Sequence, residues 1–80
     1  MKDVKEILKE VKKLIAQESG LTVEEVSLNS HFEDDLNMGD FEIANLMVNV
    51  EERFGIELIP DDIKKIKTVQ ELVHAIEDNL

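Results

Sequence analysis

Val4, Ile7, Leu8, Val11, Leu14 and Ile15 fall three, four and seven positions apart, the spacing that gathers side chains on one helix face. The pattern predicts a helix over residues 3–18. Asp3 with Glu6 three positions on forms a capping pair, and Gly20 supplies a stop. The opposite face is rich in Lys and Glu and suits water. A second helical pattern begins at Gly39 or Asp40 and ends near Phe54. There Phe41, Ala44, Met47 and Val48 lie along one face, widened by Leu46, Val50 and Phe54. Asp40 suits the N-cap of this helix, and Gly55 its end. Pro60-Asp61-Asp62 opens a short third helix to about Ile66, since proline fits a first helical turn. Thr68-Val69-Gln70-Glu71 is a capping-box sequence, and it opens a last helix whose buried face is Val69, Leu72, Val73 and Ile76.

The segment from Leu21 to Met38 is longer than most loops in compact domains. Thr22-Val23-Glu24-Glu25 has the form that starts a single turn. Leu21, Val23, Val26, Leu28, Phe32 and Leu36 are spaced as anchors that pin the loop to a core. A strand over Glu25 to Leu28 is the competing reading. Ile56 to Ile59 reads as an extended apolar link. These elements make an all-α four-helix bundle of three long helices and one short one, with a long first loop. No internal repeat, linker or low-complexity stretch interrupts it, so a single domain over residues 1–80 is expected.

Eighty residues without cysteine exclude disulfides, thiolate metal sites and a cysteine nucleophile. With three Phe and no Trp or Tyr, the core must be aliphatic. Nineteen acidic against nine basic residues give a formal charge of −10. That balance excludes ordinary phosphate-backbone binding and favours a basic partner. No apolar run reaches the roughly 20 residues of a membrane span. The opening Met1-Lys2-Asp3-Val4-Lys5-Glu6 lacks an apolar signal core, so the cytoplasm, or an organelle after removal of a leader, is the expected location. A monomer is expected. His31 and His74 have no companions at ligand spacing, and no nucleophile, base and orienting group assemble into a catalytic set, which argues against an enzyme. Asp35-x-Asn37-x-Gly39-Asp40 has the start of a calcium loop but puts Asp40 where glycine is required. No metal site is assigned.

Phe32-Glu33-Asp34-Asp35-Leu36, Gly39-Asp40-Phe41, Leu46 and Val50-Glu51-Glu52-Arg53-Phe54-Gly55-Ile56, followed by Leu58-Ile59-Pro60-Asp61 and Thr68-Val69, carry a resemblance over nearly the whole chain. The chain resembles the acyl carrier protein family, which shows F-x-E-D-L, G-x-D-S-L, a helix ending E-E-x-F-x-I, an I-P-D turn and a T-V start to the last helix. The match needs no gap between Leu36 and Phe54, and Pro60 falls one residue late. The resemblance implies a four-helix carrier fold whose serine bears 4′-phosphopantetheine. At the matching position this chain has Asp40. It also implies that the second helix meets Arg and Lys patches of partner enzymes, through Asp35, Glu42, Glu51 and Glu52 with Met47 as an apolar contact. Asn45 stands at a commonly acidic position.

A carboxylate at position 40 would form a hydrolysable acyl–phosphate anhydride where a serine forms a stable phosphodiester, so no arm is expected on this chain. Ser19, Ser27 and Ser30 lack the following Leu or Phe of the motif. Asp40 has three readings: a helix cap, an arm-free relative that docks through its acidic helix, or a replacement that blocks loading. Gly39 also departs from the family's Asp, which a single replacement leaves unexplained. The expected function is an arm-free carrier-like module of fatty-acid or polyketide-type metabolism that docks to basic enzyme surfaces. The alternatives are a carrier protein with its serine substituted, and a plain helical interaction module.

Overall fold

The computed structural model describes residues 3–80. Met1 and Lys2, the first two residues of the segment without a signal core, lie outside the described residues. Helix α1 spans Val4–Ser19, α2 Asp40–Phe54, α3 Pro60–Lys65 and α4 Val69–Asp78. A single 3₁₀ turn, Val23–Glu25, interrupts the first loop. The all-α reading with three long helices and one short one therefore holds, with boundaries within a residue or two of those predicted.

The ends form as the local chemistry dictates. Asp3 Oδ1 accepts the Glu6 amide at 3.0 Å, and Gly20 closes α1 in the left-handed region at φ 80°. Thr68 and Glu71 exchange hydrogen bonds at the start of α4: Glu71 N donates to Thr68 Oγ1 at 3.2 Å and Thr68 N to Glu71 Oε1 at 3.0 Å. Glu71 Oε1 also accepts Lys67 N at 2.8 Å. That backbone bond is the main cause holding the Glu71 carboxyl below the ordinary glutamate range.

Helix α1 packs against both α2 and α4. Ile7, Val11 and Ile15 from α1, Leu46 and Val50 from α2, and Val69, Leu72, Val73 and Ile76 from α4 are fully enclosed. Val4, placed on the apolar face of α1 by its spacing, is exposed at the open first turn. Burial of this aliphatic set is the main stabilising contribution, on the order of 2 kcal/mol for each large side chain.

Val26, Phe32, Leu36 and Met38 anchor the first loop in the core, whereas Val23 is exposed. No strand forms over Glu25 to Leu28. The loop instead runs beside the link between α3 and α4. Gln70 N donates to Leu28 O, Val69 N to Ser30 O and Phe32 N to Lys67 O, each at 3.0 Å, with one antiparallel bridge between His31 and Thr68. These bonds supply partners for loop backbone that would otherwise be buried unpaired. They place the end of the loop, and thus the start of α2, beside α3.

Candidate functional site

The approach to α2 is a tight turn closed on itself. Asp35 N and Leu36 N both donate to His31 O, at 2.9 and 3.1 Å, and Met38 N donates to Phe32 O at 2.9 Å. Asn37 then takes a left-handed φ of 54°, which asparagine tolerates better than most residues. Gly39 follows in extended conformation and is the N-cap, with Asp40 the first helical residue. This corrects the assignment of Asp40 as the cap. Glu42 reaches back instead, and its Oε1 accepts Gly39 N at 2.9 Å. Asp40 is left exposed in the first turn, where the helix dipole favours its negative charge.

Beside Asp40 opens a cleft of about 90 Å³, lined in part by Phe32, Ile43, Ile63, Ile66 and Lys67. This is well below the ~300 Å³ of an ordinary small-molecule pocket. Among the described residues no three His, Asp or Glu side chains converge to hold a metal ion.

The residues expected to meet partners divide sharply. Asp35 is exposed, but its Oδ2 accepts the His31 amide at 2.7 Å. Glu42 serves the helix start. Glu51 is half-buried, and its Oε2 accepts Leu58 N at 2.8 Å, which tethers the link between α2 and α3. Glu52 is exposed. Met47 is only 2% exposed and packs in the core, so the assignment of Met47 as a surface contact is corrected. The physical reason is that α2 carries two apolar stripes. Ile43, Leu46, Met47, Val50 and Phe54 face inward. Phe41, 78% exposed, begins a second stripe with Ala44 and Val48, spaced three, four and seven apart on the outside. Sequence reading merged the two stripes. The inner set could have been separated by its greater length, since it recurs over three turns.

The serines off the motif are engaged. Ser19 Oγ donates to Ile15 O at 2.7 Å and accepts Leu21 N at 3.2 Å. Ser30 is buried, accepts Ser27 N at 3.1 Å and shares a 3.2 Å hydroxyl contact with Ser27.

The family model for the phosphopantetheine attachment site matches residues 9–76, a span that includes the loop, α2, α3 and most of α4. An acyl carrier protein of Renibacterium salmoninarum is 35% identical over 71 residues, covering 89% of this chain and 88% of the relative. The chain belongs to the acyl carrier protein family. Other family members agree: that of Myxococcus xanthus is 33% identical over 76 residues, covering 95% of this chain and 96% of its own. A solved structure, the solution structure of the apo doublet acyl carrier protein from prodigiosin biosynthesis, superposes with a TM-score of 0.82 at 28% identity. That match covers 94% of this chain and 36% of the longer one. Acyl carrier proteins are carrier domains rather than catalysts, so this member is not an enzyme. The family carries 4′-phosphopantetheine and docks to acyl-carrier-dependent enzymes. No helix among the described residues is long and apolar enough to cross a membrane.

Proposed function

We propose that this chain is an arm-free carrier-like module of fatty-acid or polyketide-type metabolism, acting by docking to basic surfaces of acyl-carrier-dependent enzymes. The observation that carries the reading is Asp40 itself. The gap-free motif from Leu36 to Phe54 aligns it with the family's serine, and it begins α2 as an exposed carboxylate. The donor set does not fit the arm. Stable attachment needs a hydroxyl oxygen that ends in a phosphodiester. A carboxylate gives an anhydride that water cleaves, and it repels an incoming pyrophosphate. The hydroxyls of Ser19, Ser27 and Ser30 are committed to the local bonds described above and offer no replacement.

Docking is supported by the acidic surface around α2 and by its outer apolar stripe. Phe41 and Val48 are 78% and 52% exposed, and a large exposed apolar side chain beside acidic groups suits an anchor in a partner's pocket. The net charge of −10 would draw a basic partner from a distance. The module is taken to act in the cytoplasm as a monomer.

Titrating the full chain against a panel of carrier-dependent enzymes tests the reading. Binding should weaken with salt, and both Glu52→Lys and Phe41→Ala should reduce it while helical content is kept. Unchanged affinity in both variants would overturn the docking surface and favour a plain helical module that uses another face.

A further inference from the structure

His31 holds the first loop closed in a way that requires a neutral ring. Its Nδ1 accepts two backbone amides, Glu33 N and Asp34 N, each at 3.2 Å. Its own amide is bound by Asp35, its carbonyl accepts the Asp35 and Leu36 amides, and its backbone bridges to Thr68. The side chain is 30% exposed, so protons reach it. An imidazole nitrogen that accepts carries no proton, and protonation turns it into a donor. We propose that His31 is a proton-sensitive latch: neutral, it caps the turn leading to α2, and protonated, it releases the Glu33 and Asp34 amides and loosens the turn.

The groups around the ring set what replaces those bonds. Asp34 Oδ2 lies 3.8 Å from Nδ1, close enough to draw an imidazolium away from the amides. Glu33 and Asp40 share the adjoining cleft with His31, as does Lys67 from the α3–α4 link, and Glu71 of α4 interacts with the ring electrostatically. A protonated ring therefore has a defined place to go, beside Asp34 Oδ2. The sign follows from the acceptor role. The closed turn persists while the ring is neutral and is lost when Nδ1 takes up a proton. The effect is local, because Phe32, Leu36 and Met38 keep the loop anchored in the core.

Nuclear magnetic resonance of the full chain tests the latch. In neutral solution the His31 ring should be the tautomer with its proton on Nε2. Protection of the Glu33 and Asp34 amides against exchange, corrected for intrinsic rates, should fall roughly tenfold across the ring titration, the scale of one ordinary hydrogen bond. His31→Asn, which keeps a side-chain acceptor at every pH, should abolish the pH dependence. His31→Ala should leave the amides open throughout. His74→Gln should change nothing at these amides. A proton on Nδ1 in neutral solution, or equal protection of the two amides on either side of the titration, would overturn the proposal.

Discussion

Replacing Met47 and Phe41 one at a time by alanine should give opposite results, although both are large apolar residues within two turns of one helix. Met47 is 2% exposed within the hydrophobic core, so truncation leaves a cavity. Core Met→Ala changes cost about 3 kcal/mol. In a domain of this size each kcal/mol lowers Tm by roughly 4–8 °C, so Met47→Ala should melt roughly 12–24 °C below the parent. Phe41 is 78% exposed and supports little packing. Its loss should change stability by no more than about 0.5 kcal/mol, partly offset by the better helix propensity of alanine. Urea and thermal unfolding followed by circular dichroism measure both. Because Met47→Ala approaches the whole stability of a small domain, Met47→Leu supplies a folded comparison with a cost below ~1.5 kcal/mol. A near-neutral Met47→Ala together with a Phe41→Ala that costs more than ~2 kcal/mol would refute the two-stripe account of α2.

The formal charge of −10 on a small surface predicts self-repulsion, so moderate salt or a divalent cation should raise Tm; an unchanged melting curve would contradict this. Gly55 closes α2 at φ 65°, so Gly55→Ala should cost about 1 kcal/mol in urea unfolding, and no loss would speak against a left-handed cap there. Glu71 has a folded-state pKa below its ordinary value of 4.5, held down chiefly by the Lys67 amide. Its contribution is therefore present above that value and lost as pH falls through the lower folded pKa. Glu71→Gln should flatten the dependence of stability on pH in that acid window, and an unaltered slope would remove Glu71 from the account.

Most of the fold was legible because the helix ends are written in local chemistry. Asp3, Gly20, Gly55, Pro60 and the Thr68–Glu71 pair act within a few residues of their own position, where sequence spacing and spatial distance coincide. The inward face of α2 was less legible. Phe41 and Val48 are as apolar as Met47, and only the packing of α1 against α2 decides which stripe is covered. The cap of α2 was misplaced for a related reason: Asp40 is a strong capping residue by type, but Gly39 takes the extended cap position and Glu42 satisfies its amide. The latch at His31 depends on a backbone turn and on pairing with the distant Thr68, neither of which leaves a spacing signal. At the candidate site, the motif spacing located the junction, while the intramolecular bonds of Asp35, Glu42 and Glu51 emerged only from the folded geometry.

The arm-free reading holds that the carrier frame is kept and the bond-forming oxygen is lost. Its most direct test is intact-mass spectrometry of the chain and of Asp40→Ser after incubation with coenzyme A and a phosphopantetheinyl transferase. No stable mass gain is expected on the parent chain, and the gain of one arm is expected on Asp40→Ser. A stable arm on the parent, or an Asp40→Ser chain that folds and stays unloaded, would contradict it.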